Sequence, residues 1–581
     1  MNHHCAVENV QDCDVQPLCR DDATVKDLDV PFAPVCYDQN ALFHLTGPNY
    51  LPPFAHRPPE TAPSYSAMPA AVWLTVLIIP TLYALYVWLN DAKLKRPPGN
   101  LGSEPWTQEF IQETFARVSE KPDLLEGQLP SKTGRRYIVI GGAGFLGGWI
   151  VLHLLQRGED PRKIRILDIR PPSRKDLKEA ARDVDFIQVD MTDADAVFKA
   201  FQKPWPATEE RTPELTVFHT AAVIRFFERH PDLLYLSDNI NLEGTKNIVN
   251  AARAVGASAL IYTSSGSVAV RRSRFWLWPW QSEAKHFVQV ITDDDNQLPK
   301  RHEEFFSNYA VSKLHAERFV RDSDGSKSGD GILRTGCLRP GNGIFGPGGD
   351  ILVDRLIRDK VNPSWIPSIM QSFIYVENCS LAHLCYEARL IELQSGNSNP
   401  DIGGQAFCIT DAGPTPTYLD VYNAVGTLCK GAVSFIYLSP TFMLSIAHLV
   451  EWYYLARHFL VNSSFAFLGR LFPAIRGDII FLQPSMFALT NVHLLFDDSR
   501  ARTSSEKGGL GYTGPCTTLE GVCKVVLEYE KNGGEGTERA VAGHPEPTKL
   551  KFDPTLPERG VVEIVGKISS GLGVDPTKTW N

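Results

Sequence analysis

YIVIGGAGFLGGWIVLHLL, residues 137–155, is the stretch that decides the fold. A short apolar run rich in Ile and Val reads as a buried strand, and the apolar residues after it recur at helical spacing. Between them, Gly141, Gly144 and Gly147 form a Gly-x-x-Gly-x-x-Gly turn. Such a turn must bend tightly, bring backbone close to a pyrophosphate and let a helix pack closely on a strand. Phe145 and Leu146 lie inside the turn and are counted with it as cofactor contacts.

Working outward, the same texture repeats. KIRILDI, DFIQVD, LTVFHTAA and ALIYTSS are further strand-like runs, with helical patterns between them. This alternation predicts an α/β chain: a Rossmann-type doubly wound parallel sheet over 134–345, interleaved with a smaller C-terminal substrate domain over 346–532. Asp168 ends the second run, 21 residues after Gly147. A carboxylate there can accept from adenosine ribose hydroxyls, which points to NAD; Arg170, two residues on, leaves NADP open.

Tyr309 and Lys313 make a Tyr-x-x-x-Lys pair ahead of the helical pattern LHAERFV. Four residues apart on a helix, they share one face. A lysine ammonium beside a phenol favours the phenolate, so the tyrosine can act as an acid–base group. The spacing is common by chance. It gains force from Ser264 and Ser265 at the end of IYTSS, where a hydroxyl can bond a substrate oxygen.

With these residues in place, the chain resembles the extended short-chain dehydrogenase/reductases. Within them it is similar to the 3β-hydroxysteroid dehydrogenase family, which includes sterol-4α-carboxylate 3-dehydrogenases. The resemblance covers about 135–530 and rests on GGAGFLGG (141–148), HTAA (219–222), NLEGTKNIVNAAR (241–253), YTSS (262–265), YAVSK (309–313), LRPGNGIFGPGGD (338–350), FIYVENCSLAH (373–383) and LGY (510–512). It implies that Tyr309 is the catalytic acid–base. Lys313 then binds the nicotinamide ribose and lowers the tyrosine pKa. Ser265 orients the substrate hydroxyl, three residues before Val268, where the family's serine or threonine sits. It further implies that Asn241 supports the active-site helix, that Ala221 and Ala222 turn against the cofactor, that Pro340 lies beside the nicotinamide, and that Asp190 and Met191 lie beside the adenine.

The activity implied is oxidation of a 3β-hydroxyl on a sterol or triterpenoid, followed by decarboxylation where a 4α-carboxylate is present. Arg225 is a candidate cation for that carboxylate. Dehydrogenation coupled to isomerisation, triterpenoid oxidation without decarboxylation, and an inactive cofactor-binding scaffold remain as alternatives. The partners expected are the sterol or triterpenoid itself, membrane lipid, and a homodimer or a sterol-demethylation complex. The chain departs from the family's short form in its first 133 residues, in an insertion at 271–300, and in placing Cys379 and Ser380 within FIYVENCSLAH.

Composition sets the outer limits. The 581 residues carry 58 basic and 67 acidic side chains, a net charge of −9, which excludes a strongly basic nucleic-acid binder. Nine acids against Arg20, Lys26 and Arg57 concentrate the negative charge in 1–67, a tail without the makings of a packed core. Cys5, Cys13, Cys19 and Cys36 lie in that tail, with disulfides and free thiols both open. Seven more cysteines, Cys337 to Cys523, read as reduced core residues. No Cys-x-x-Cys pair occurs, and no metal site is expected.

Residues 70–89 are uncharged and apolar, and twenty residues at helical rise match a bilayer core. A transmembrane helix is therefore expected over 68–90. Lys93, Lys95 and Arg96 follow it, against Arg57 before it, so the positive-inside rule puts the catalytic part in the cytosol and the tail in a lumen. The expectation is a single-pass protein of the endoplasmic reticulum. A linker and amphipathic helix are expected over 91–133, a membrane-associated helix pair over 432–461, and a polar tail over 533–581. The Trp- and Phe-bearing insertion 271–300 reads as a loop that either packs its own aromatics, touches membrane or lines a substrate mouth.

Overall fold

The computed structural model describes residues 70–96, 104–206, 214–469 and 471–533, with side chains of the first helix described from Leu77 onward. The acidic tail 1–67 with its four cysteines, and the polar tail beyond Gly533, lie outside these residues.

Seven parallel strands make the main sheet: β1 (Arg136–Ile140), β2 (Ile164–Asp168), β3 (Asp185–Gln188), β4 (Leu215–His219), β5 (Ala259–Thr263), β6 (Gly331–Pro340) and β7 (Ala406–Ile409). In space they run β7-β6-β5-β4-β1-β2-β3, and the short strand Ser326–Ser328 pairs antiparallel with β6. The direction of strand order reverses at β1, which pairs Tyr137 with Ile164 on one side and with Thr216 on the other. That is the doubly wound order predicted from the sequence, and all five strand-like runs became strands.

The strands are apolar almost throughout because both faces are covered. Successive residues of β1 feed opposite cores: Tyr137 and Val139 one, Ile138 and Ile140 the other. The helices that matter for the site are α1 (Ala70–Leu94), α2 (Phe145–Gln156), α3 (Thr245–Ala254), α4 (Asn308–Asp322), α5 (Val376–Gln394) and α6 (Pro440–Val461). Ile150 and Leu154 of α2 share a core with Leu384 and Leu390 of α5. Ile248 and Val249 of α3 lie in the other. Although α5 and β7 come after residue 345, they join the layers of the main sheet.

The amphipathic helix expected before the sheet is Gln108–Glu120. Its N-cap is Thr107, and it buries Ile111, Thr114 and Val118. The insertion 271–300 is more than a loop. Its Val288–Ile291 pairs in parallel with His493–Phe496, and Phe275, Leu277 and Phe287 are core residues.

The helix pair expected over 432–461 is corrected: Ser434–Tyr437 is a strand paired with Val361–Ser364, and a single helix, α6, follows. Pro440 cannot continue an earlier helix but suits the first turn of a new one, which Ser439 caps by accepting from the Phe442 N–H at 3.0 Å. The expected span falls on α1. Among the described residues, no helix is long and apolar enough to cross a membrane. All seven cysteines from Cys337 to Cys523 are free; Cys385 and Cys429 are half-buried and the others buried.

Candidate active site

In a parallel sheet all carboxyl ends share one edge, and at the reversal point a crevice opens there. The glycine turn follows β1, Asp168 ends β2, Asp190 and Met191 follow β3, Ala221 and Ala222 follow β4, Ser265 follows β5, and Pro340 ends β6. The topology thus collects residues that are more than a hundred positions apart on one edge.

The glycine turn is built to exclude side chains. Gly141 has φ +78°, and a Cβ there would lie 2.8 Å from Thr220 Oγ1 and 2.9 Å from the Ala221 nitrogen. A Cβ on Gly147 would collide with the Gly141 carbonyl oxygen. Thr220 Oγ1 donates to the Ile140 carbonyl at 2.9 Å, which ties the end of β4 to the turn and sets Ala221 against it. Helix α2 begins at Phe145 with Gly144 as an N-cap that offers no side-chain oxygen, so its first N–H groups face the turn. Phe145 and Leu146 are buried in that first turn.

Asp168 accepts from the Ala143 N–H at 3.1 Å and the Arg170 N–H at 3.3 Å, and burial raises its pKa. Asp190 holds a turn by accepting from both the N–H and the hydroxyl of Thr192 at 2.9 Å. Met191 packs on Gly244, and its carbonyl accepts from Asn247. A cradle closed to Cβ atoms, an uncapped helix start and a carboxylate at the end of β2 fit a nicotinamide adenine dinucleotide.

The catalytic candidates meet on α4. Its N-cap Ser307 precedes Asn308, which donates its N–H to the Glu228 carbonyl and its amide to the His230 carbonyl, both at 2.8 Å. Tyr309 follows. Its phenol is hydrogen-bonded to Ser265, which lowers its pKa, but burial wins and pushes it up to about 12. The Ser265 hydroxyl also lies 2.7 Å from that of Ser267, while Val268 is a core residue. Lys313 is fully buried. Its ammonium donates to the Thr263 carbonyl at 2.7 Å and sits over the Tyr262 ring, and burial brings its pKa down to about 7. Asn241, in a π-helical turn, accepts from the Val223 N–H and donates to Ser312 Oγ at 2.9 Å. It therefore braces α4, as the resemblance implied.

Three supports were not read from the sequence. Thr263 supplies the carbonyl that holds Lys313, and its hydroxyl lies 2.6 Å from His383 Nε2. His383 Nδ1 is 2.7 Å from the Cys379 carbonyl, so Nδ1 carries the proton and Nε2 accepts from Thr263. Glu317 and Arg339 form a fully buried pair at 2.6 Å, and Glu317 also accepts from Ser264 at 2.5 Å. These bonds join α4, β5 and β6 around Ser265 and Pro340. Their only sequence signal was position within the quoted strings, since both His383 and Arg339 belong to them. Arg225, the candidate cation for a substrate carboxylate, is paired with Glu228 and near Tyr454 Oη, so its charge is already matched inside the protein.

Residues 138–430 match the 3-beta hydroxysteroid dehydrogenase/isomerase family. The chain is 28% identical over 413 residues to the 3beta-hydroxysteroid-dehydrogenase/decarboxylase isoform 2 of Arabidopsis thaliana, covering 69% of this chain and 63% of that protein. It is 26% identical over 279 residues to the sterol-4-alpha-carboxylate 3-dehydrogenase erg26, decarboxylating, of Schizosaccharomyces pombe, covering 47% of this chain and 69% of that one. The solved UDP-glucose 4-epimerase of Thermotoga maritima is similar at a TM-score of 0.45, with 16% identity over 68% of this chain and 99% of that chain.

Proposed function

The chain belongs to the 3-beta hydroxysteroid dehydrogenase/isomerase family, and on that premise we propose that it oxidises the 3β-hydroxyl of a 4α-carboxysterol with NAD and so allows decarboxylation. The observation that carries this reading is the Tyr309–Ser265 hydrogen bond beside buried Lys313, at the carboxyl edge of a sheet whose glycine turn fits a dinucleotide. The Arabidopsis and Schizosaccharomyces relatives, a dehydrogenase/decarboxylase and a decarboxylating 3-dehydrogenase, favour the carboxylated substrate.

Ser265 and Tyr309 hold the substrate oxygen between two hydroxyls, and Tyr309 takes its proton. The bound oxidised nicotinamide supplies the acceptor for the hydride from C3. Lys313, fixed by Thr263, is the residue for the nicotinamide ribose, and the Ser265 hydroxyl is the group that lowers the Tyr309 pKa. The C3 ketone that results has a carboxylate on the next carbon. Such a β-keto acid loses CO2 through an enol, and the same two hydroxyls then face the developing enolate oxygen. Arg170 beside Asp168 keeps NADP as the second cofactor. The isomerases within the family keep dehydrogenation with a double-bond shift as the second reaction.

The same reading takes 346–532 as the part that holds the sterol, and α1 as the membrane anchor of 68–90 in the endoplasmic reticulum, with the catalytic part cytosolic. The uncharged run 70–89 and the basic residues Lys93, Lys95 and Arg96 support it. The test is nicotinamide absorbance of the detergent-solubilised chain with NAD or NADP, over 3β-hydroxysteroids with and without a 4α-carboxyl group. Reduction confined to carboxylated substrates, with CO2 release and loss in Tyr309→Phe, is the expected result. Turnover of the uncarboxylated steroids with gain of enone absorbance would replace it with the isomerase reading.

A further inference from the structure

Asn342 follows Pro340, the last residue of β6, by two positions. The backbone between them is fixed. The Gly341 N–H donates to the Ile409 carbonyl at 2.9 Å, and a Cβ on Gly341 would lie 2.7 Å from the Ser372 carbonyl oxygen. The Asn342 side chain is half-buried. Its one hydrogen bond among the described residues runs from Nδ2 to the Leu489 carbonyl at 3.4 Å, beyond the usual length of such a bond. An amide nitrogen carries two hydrogens, so a second donation is open.

This amide stands close to the candidate catalytic pair. The Ser264 N–H donates to the Leu338 carbonyl at 2.8 Å, so the ends of β5 and β6 lie side by side. A Cβ on Gly266, the residue after Ser265, would lie 2.8 Å from the Pro340 carbonyl oxygen and would collide with the ring of Phe496. Leu489 shares a helical face with Met486, three residues before it. Both are half-buried against the same core as Phe496 and Tyr309. The wall beside Ser265 is therefore apolar, as a sterol skeleton requires, with the Asn342 amide set into it.

In the reaction proposed above, the carboxylate is on the carbon next to C3. The group that recognises it must lie beside the hydroxyls that hold the C3 oxygen. Arg225 is already paired with Glu228. A neutral donor also suits the chemistry. When the C4–carboxyl bond breaks, its electron pair forms the enolate and the negative charge settles on the C3 oxygen. CO2 leaves uncharged, and C4 then takes a proton from water. A cation fixed beside the carboxylate would stabilise the state before cleavage more than the transition state, whereas a neutral N–H holds it less tightly.

We propose that Asn342 Nδ2 donates to the 4α-carboxylate of the substrate and that this amide selects carboxylated sterols. The inference deepens the 4α-carboxysterol reading and rests on it.

The test compares the detergent-solubilised full chain with Asn342→Leu and Asn342→Asp. Three quantities are read: the KM of a 4α-carboxysterol, the Ki of the matched uncarboxylated sterol as a competitive inhibitor, and the Kd of NADH by fluorescence. In Asn342→Leu the KM is expected to rise about tenfold, the effect of one hydrogen bond to a charged group. Ki and the NADH Kd should stay within twofold. Asn342→Asp keeps the shape of the side chain, so it carries the test if the Leu variant does not fold. Its carboxylate should repel that of the substrate and raise the KM further, again at unchanged Ki. A KM unchanged in both variants would overturn the inference and leave the 4α-carboxysterol reading standing. Equal rises in KM and Ki would overturn it by making Asn342 a support of the whole sterol site. A tenfold weaker NADH Kd would overturn it by assigning the amide to the nicotinamide. If the unaltered chain binds the two sterols equally well, the 4α-carboxysterol reading fails and the inference falls with it.

Discussion

The Lys313 ammonium donates to the Thr263 carbonyl at 2.7 Å and lies 4.1 Å from the centroid of the Tyr262 ring. A single cation thus joins α4 to the end of β5, at a cost in stability. In the unfolded chain this amine keeps its proton up to about 10.5; in the folded chain burial lets it go near 7. Between those values the unfolded chain binds more protons, so the native state gains stability as pH rises; below 7 both states are protonated and the penalty of burial is constant. Lys313→Met is expected to be more stable than the parent at neutral and lower pH, by about 1–3 kcal/mol, with the advantage shrinking toward pH 10. Its turnover should fall about 10³-fold. Denaturant titrations in detergent at two pH values, beside a rate assay, check both halves. A destabilised Met variant at neutral pH would refute the account.

Tyr309 must lose its proton before it can accept one from an alcohol, and burial holds it high, at about 12. For oxidation, kcat/KM should therefore climb with pH through the alkaline range, while ketone reduction should decline over the same range. Tyr309→Phe should lose roughly 10²–10⁴-fold in kcat. A flat pH–rate profile for oxidation above neutrality would contradict this assignment of the proton.

Gly147→Ala puts a methyl against the Gly141 carbonyl, and that backbone oxygen cannot move without opening the turn. Dinucleotide affinity is expected to weaken about 10²-fold, since a shift of about 1 Å in a positioned site has effects of that size. Titration of NADH fluorescence on the purified variant measures it, with circular dichroism to show that the sheet persists.

The Glu317–Arg339 pair is fully buried and holds Ser264 as well. Arg339→Met takes from buried Glu317 its nearest cation, leaving Arg321 at 3.3 Å, and should lower stability by about 3 kcal/mol. The double change Arg339→Met, Glu317→Met should recover most of that loss, because no unpaired charge remains. Thermal unfolding of the parent and the two variants decides it.

Much of this was legible in the sequence, and for a physical reason. A buried parallel strand is a short apolar run, a dinucleotide turn needs glycine where no Cβ fits, and a Tyr-x-x-x-Lys pair falls on one helical face. Each of these requirements acts over a few neighbouring residues. The strands of the core sheet, the turn at Gly141–Gly147 and the shared face of Tyr309 and Lys313 follow from them. The run 432–461 misled because apolar content without a clear period does not separate strand from helix, and Pro440 turned out to start a helix after a strand.

The sequence by itself determined the order of strands and helices, the glycine turn and the residue types offered for proton transfer, since these are set by local backbone and side-chain geometry. Only the tertiary structure decided which buried charges meet: Glu228 neutralises Arg225, Arg339 pairs with Glu317, and Thr263 holds Lys313. It also decided that the strand Val288–Ile291 finds its partner in His493–Phe496, and that α6 keeps one side for the protein and leaves the other bare. Such choices depend on the free energy of burying groups far apart in the chain, and that energy exists only once the packing around them has formed.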